Sequence, residues 1–175
     1  MQELEVKILE VNQSQLTQQL LDLGAHKSFA GELRAVFYDF EDRRISQQGQ
    51  LLRLRQEGEA IRLTHKSPIS TERVKNMEEW ETGVADWEAT QTILAKLGLS
   101  PTKETHKIRT QYDWNGVHIV FDEYKGELAA IPVFIEIEAP TEEALFQTVE
   151  ALGYQRSDCL SWNTYDLAKH YGLLD

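Results

Sequence analysis

Cysteine occurs once in these 175 residues, as Cys159. No disulfide can form within the chain, and a reducing compartment is expected. A lone thiol is read as a packed or surface side chain rather than a nucleophile. No apolar run approaches the ~20 residues of a helical membrane span. The opening Met-Gln-Glu-Leu-Glu has neither a basic region nor an apolar stretch, so no secretory leader and a cytoplasmic location are expected. Basic residues are in short supply: 18 Lys and Arg against 29 Asp and Glu give a net charge of −11. That excludes a general nucleic-acid-binding surface but leaves room for a local basic pocket. Repeats, low-complexity stretches and dividing linkers are absent. One domain over residues 1–175 is expected, long enough for a proper core.

What the chain does have is alternation. Glu3-Leu4-Glu5-Val6-Lys7 puts Glu3, Glu5 and Lys7 on one strand face and Leu4, Val6 and Ile8 on the other. Strands are predicted over 2–11, 33–40, 51–56, 60–67, 74–82, 105–114, 117–124 and 134–139. Glu57-Gly58-Glu59 and Asn115-Gly116 supply hairpin turns. Helices are predicted over 14–23, 87–97, 141–152 and 163–171, the first three stopped by Gly24, Gly98 and Gly153. Pro68–Thr71 reads as a loop. About eight antiparallel strands favour closure, because a barrel has no edges. The fold class is therefore α+β: an eight-stranded antiparallel closed barrel with flanking helices.

The charges keep one phase. Arg53 and Arg55 share a face, as do Arg62, Thr64 and Lys66, then Lys75, Glu79 and Glu81. Lys107 and Arg109 oppose Ile108, Asp122 opposes Ile119 and Phe121, and Glu136 and Glu138 oppose Ile135 and Ile137. Alternation alone is most often a sheet with one solvated face. Solvated faces usually mix in Ser, Thr and Gln, whereas these positions are nearly all charged, with acids and bases segregated by strand. Turned inward, the carboxylates could chelate hard divalent cations, and the Arg and Lys side chains could grip phosphate oxygens.

At this point the ordered series resembles the CYTH superfamily, the triphosphate tunnel metalloenzymes. Glu3-x-Glu5-x-Lys7 matches its N-terminal ExExK signature. Phe37-Tyr38-Asp39-Phe40-Glu41-Asp42-Arg43-Arg44 is similar to an aromatic-Asp segment of the family, Leu52-Arg53-Leu54-Arg55 to its LRLR strand, and Leu63-Thr64-His65-Lys66 to the T-x-K that follows. Glu79-x-Glu81, Lys107-x-Arg109, Asp122 and Glu136-x-Glu138 fall in the same order. The resemblance implies a tunnel that binds a triphosphate together with Mg²⁺ or Mn²⁺. Glu3, Glu5 and Glu138 are implied as metal ligands, with Glu81, Asp122 and Glu136 close by. Catalysis is implied at Glu3, Glu5 and Lys7. Lys7, Arg53, Arg55, Lys66, Lys107 and Arg109 are implied as phosphate contacts. A homodimer is compatible with the resemblance. The chain departs from the family at Met77, where a basic residue is common, in Lys125–Val133, and in Ser161–Leu167 near the C-terminus.

Among single residues, His65 is expected outside the tunnel and His118, in phase with Asp122, as structural. Trp80, Trp87, Trp114 and Trp162 read as core or rim aromatics. Two reactions fit such a site: hydrolysis of a triphosphate, inorganic or organic, and cyclisation of ATP to cyclic AMP and pyrophosphate. A binding module without turnover is the third possibility. Hydrolysis is favoured, because no surface for a nucleobase is visible in the sequence. Inorganic triphosphate is accordingly expected to be cleaved at least as well as ATP.

Overall fold

The computed structural model describes residues 2–70 and 75–174, and the side chains of 2, 3, 70 and 75 lie outside that description. Eight strands run in chain order: β1 (Gln2–Ile8), β2 (His26–Asp39), β3 (Leu51–Glu57), β4 (Ala60–Ser70), β5 (Lys75–Gly83), β6 (Ser100–Trp114), β7 (Val117–Tyr124) and β8 (Phe134–Ala139). They close an antiparallel barrel in the order β1-β5-β4-β3-β2-β6-β7-β8. Four α-helices accompany it among the described residues: α1 (Gln13–Asp22), α2 (Trp87–Lys96), α3 (Glu142–Ala151) and α4 (Thr164–His170). The predicted fold class is the one observed.

The hydrophobic core lies outside the barrel wall. Val6, Ile8, Ile119, Phe121, Ile135 and Ile137 face outward and meet Leu16 and Leu20 of α1 and Leu145 and Val149 of α3. Burying each such side chain contributes about 1.5–3 kcal/mol. A second cluster packs Leu94 of α2 on Val36, Tyr38 and Leu54. A third sets Leu167 of α4 against Tyr124, Ile131 and Phe134 at one end of the barrel. The helices thus take up the apolar phase of each strand, and the charged phase is left to the interior. Caps define their starts: Asn12, Asp86, Thr141 and Asn163 each accept a hydrogen bond from a first-turn backbone N–H.

Boundaries differ from expectation in instructive places. β1 stops at Ile8, because Glu10 takes a left-handed conformation (φ 54°) before the Asn12 cap. β2 starts seven residues earlier than predicted, at His26 rather than Leu33. Its first half pairs only with β6, and Gly31 lets the Phe29 ring lie over the backbone, where a Cβ would meet Phe29 at 3.1 Å. β4 runs to Ser70 through the segment expected as a loop, with Pro68 opposite Met77 and a bulge before Ser70. Asn115 and Gly116 both adopt positive φ (51° and 76°), as a tight hairpin turn requires.

Candidate functional site

Inside the barrel is a cavity of about 770 Å³. Glu5, Lys7, Arg53, Arg55, Arg62, Lys66, Glu79, Glu81, Lys107, Arg109, Glu136 and Glu138 all line it. The inward phase assigned to the charged residues is therefore the one the fold adopts. The Glu3 side chain, predicted as a metal ligand and catalytic group, lies outside the described residues.

Two networks divide the interior. On the β1/β8/β7/β6 side, the Lys7 ammonium sits 2.9 Å from Glu136 and 3.3 Å from Glu5. Burial works to lower its pKa, but Glu136 and Glu5 outweigh burial and hold it above the ordinary lysine range. Arg109 grips Asp122 through two hydrogen bonds, 2.9 Å from Nε and 2.7 Å from Nη2, and reaches Glu136 at 3.2 Å. Lys107 bonds the same Asp122 oxygen. Burial and Arg109 push the Lys107 ammonium down, against Asp122. Glu136 stays well below the carboxylate range despite burial, because Lys7, Lys107 and Arg109 surround it.

On the β3/β4/β5 side, Glu81 collects Thr64 Oγ1 at 2.8 Å, Arg62 at 3.0 Å and Arg55 at 3.2 Å. Lys66 pairs with Glu79 at 2.7 Å. The Nε atoms of Arg53 and Arg55 are buried and have no hydrogen-bond acceptor. Burial, Arg55 and Arg109 lower the Arg53 pKa, and Glu79 and Glu81 only partly offset them. This wall carries more donors than acceptors, which is an arrangement for an anion with several oxygens.

Among the described residues the expected metal ligands do not form one group. Glu5 and Glu138 are register partners across β1 and β8, with Glu136 opposite Lys7 in the next row. Asp122 is fully buried, and its oxygens are engaged by Arg109 and Lys107, so its place in this structure is to hold two bases. Glu81 stands among the β3/β4 bases rather than beside Glu5. Among the described residues no three Asp, Glu, His or Cys side chains make a ready cation cage. A Glu5–Glu138 pair still suits Mg²⁺ or Mn²⁺, since Mg²⁺ is commonly bound by one or two carboxylates plus substrate phosphate oxygens.

Several lining residues were not singled out as site residues in the sequence. His118 reaches the cavity with its Nδ1 2.7 Å from Asp113, where a structural role was expected. Its shared phase with Asp122 was the available signal. Asn163 and Thr164 also line the cavity, and Thr164 meets the Tyr124 hydroxyl at 3.1 Å. Leu33, Ala35, Phe37 and Leu51 form an uncharged strip of wall on β2 and β3. Trp80, 66% exposed, borders the cavity as a rim aromatic, and His65 faces away toward Gln50.

A closed antiparallel barrel with its core outside and an ion-paired, donor-rich cavity within defines a tunnel protein for polyanionic ligands. The family follows from comparison with known proteins. The CYTH domain model matches residues 1–159, and the chain belongs to that family, whose fold is a metal-dependent triphosphate tunnel. A Methanocaldococcus jannaschii protein named as a candidate adenylate cyclase is 27% identical over 139 residues, covering 78% of this chain and 75% of its own. The structure of a candidate adenylate cyclase from Vibrio parahaemolyticus superposes with a TM-score of 0.81 at 20% identity, over 95% of this chain and 97% of that one. A Hippeastrum protein, a candidate adenylyl cyclase described as having a dominant triphosphatase activity, superposes with a TM-score of 0.68 at 14% identity, over 97% and 95% of the two chains. These structural likenesses concern the fold.

Proposed function

We propose that this protein is a divalent-metal-dependent triphosphatase. The observation that carries the reading is the pair of buried, acceptor-less Nε groups of Arg53 and Arg55 on the cavity wall. A buried donor without a partner costs about 1–3 kcal/mol, and phosphate oxygens would relieve that cost. Lys66, Lys107 and Arg109 add to the grip, and Lys7 stands between Glu5 and Glu136 near the carboxylate pair. Glu5 on β1 and Glu138 on β8, with Glu3 two residues before Glu5, would hold Mg²⁺ or Mn²⁺. Such an ion would polarise phosphate oxygens and offset their charge. In hydrolysis a water oxygen bonds to the terminal phosphorus and gives up a proton to solvent, the bond from that phosphorus to the bridging oxygen breaks, and the remaining diphosphate portion leaves with that oxygen while the terminal phosphorus is released as orthophosphate. The chain's bases hold the non-reacting oxygens in place meanwhile.

The name of the Methanocaldococcus relative supports a second reading, cyclisation of ATP, in the same tunnel. One experiment separates the two. The protein is incubated with ATP or inorganic triphosphate and Mg²⁺ or Mn²⁺, and products are resolved by phosphorus NMR. Orthophosphate release that chelator abolishes is expected. Cyclic AMP and pyrophosphate as the main products would replace the first reading by the second, and turnover unchanged in excess chelator would overturn the metal assignment.

A further inference from the structure

Resting on the triphosphatase reading, we infer that His118, oriented by Asp113, takes the proton of the attacking water on its way to solvent. One register row crosses the barrel near the Asn115-Gly116 turn. In it Glu5 pairs with Glu138, Glu138 with His118, His118 with Asp113, and Asp113 with His26. Glu5, Glu138 and His118 of this row line the cavity. Register partners have Cβ atoms about 4.5–5.5 Å apart, so the imidazole stands beside the carboxylate pair proposed for the ion. It bonds to neither carboxylate; its partners are Asp113 and Gln111.

The tautomer follows from Asp113. Burial works to raise its pKa, but bonds from Gln111, His118 and Ser28 outweigh burial and hold it below its ordinary value. It is therefore a carboxylate, which can only accept. His118 Nδ1, 2.7 Å from Asp113 Oδ1, carries the hydrogen of that bond. Gln111 Nε2 donates to the same oxygen at 2.9 Å and passes Nδ1 at 3.1 Å. His26 Nε2 stands 3.6 Å from the other Asp113 oxygen. His118 Nε2 keeps its lone pair and has no partner among the described residues. A proton acceptor held in place by a third group is the arrangement that activates a nucleophile. Other cavity groups are already engaged. Glu136 pairs with Lys7 and Arg109, Glu79 with Lys66, and Glu81 with Arg55 and Arg62. Against burial, Glu136 and Glu5 keep the proton on Lys7, and burial pushes the Tyr124 hydroxyl up to about 12. In the step, the water oxygen bonds to the terminal phosphorus as its proton passes to His118 Nε2. The bond from phosphorus to the bridging oxygen breaks, and the diphosphate portion leaves with that oxygen. The imidazolium, stabilised by Asp113, then returns the proton to solvent, which reaches it because the side chain is 49% exposed.

The test is orthophosphate release from inorganic triphosphate with Mn²⁺, measured on the intact protein and its variants. His118→Gln should lower kcat by ~100–10,000-fold, the usual contribution of a positioned proton acceptor, and leave KM nearly unchanged. Asp113→Asn, which frees the ring to take the other tautomer, should lower kcat by roughly tenfold or more. His118→Ala should regain turnover when imidazoles are added, and the regained rate should rise with the basicity of the imidazole. A structural role would not give that dependence. The Mn²⁺-induced rise in Tm shows that each variant is folded, and it should equal that of the parent protein. A parental kcat in His118→Gln overturns the assignment and leaves the triphosphatase reading intact, as does rescue that is absent or indifferent to basicity. Loss of the Mn²⁺ effect in His118→Gln overturns it in favour of a metal ligand. No orthophosphate release by the parent protein overturns both readings together.

Discussion

Replacing Arg53 by Met should stabilise the ligand-free protein while crippling its binding. The guanidinium is desolvated, its Nε lacks an acceptor, and Arg55 and Arg109 add like charge that Glu79 and Glu81 only partly cancel. Arginine keeps its proton at any working pH, so these influences act on the folded state as destabilisation rather than neutralisation. Methionine spans similar length, has no polar hydrogen to orphan and removes the repulsion. A buried unsatisfied donor costs about 1–3 kcal/mol. Allowing for the half-buried position of Arg53, a gain of about 1–2 kcal/mol remains. For a chain of this length that raises Tm by roughly 2–8 °C. Loss of phosphate contact should weaken triphosphate binding and slow turnover ~10–1000-fold, or about 1.4–4 kcal/mol. Lysine should restore binding only partly, since it lacks the planar fork. The assay is thermal unfolding of both proteins with and without inorganic triphosphate and Mn²⁺. A Tm that falls without ligand, or a ligand-induced rise equal to that of the parent, would refute the argument that Arg53 is held ready for an anion.

Three further outcomes follow from the carboxylates. Asp122→Asn leaves Arg109 and Lys107 without their buried counter-charge, so it should destabilise by roughly 3–5 kcal/mol in urea unfolding; a change under 1 kcal/mol would show that Glu136 alone suffices. Asp39 is buried and accepts backbone N–H bonds from Phe40, Ile45 and Ser46, and although burial works against them these hold its carboxyl at about 2, below its ordinary 3.8. That folded-state depression is a stability term present above pH ~4 and lost as pH falls through 2, so Asp39→Asn should cost about 1–2 kcal/mol near neutrality and progressively less as pH falls toward 2; a pH-independent difference would refute it. Mn²⁺ should raise Tm and chelator reverse the rise, and Glu5→Gln or Glu138→Gln should reduce that rise if those carboxylates hold the ion.

How much of this was legible beforehand depended on whether the signal was local. The phase of Glu5 and Lys7, of Arg53 and Arg55, and of Glu136 and Glu138 follows from the period of two that any strand imposes. Asn115-Gly116 determined a turn because both residues accept positive φ there. The eight strands and the four capped helices were therefore largely written in the chain, as was the side of each strand that carries charge. Partnership was not. Nothing local says that Lys7 falls against Glu136, a contact made only when β1 and β8 become neighbours as the barrel closes; Asp122 faces Arg109, and Glu81 faces Thr64, across strands that are consecutive in the chain. The early start of β2 was hidden because its first half is held by β6 alone, through a pairing that spans some eighty residues. Leu33, Ala35 and Phe37 lie on a predicted strand that has no charge at those positions to mark its inward phase, so their place in the cavity wall was not legible. Only closure of the sheet turned that phase inward, because the helices cover the opposite face and leave the interior to whatever remains.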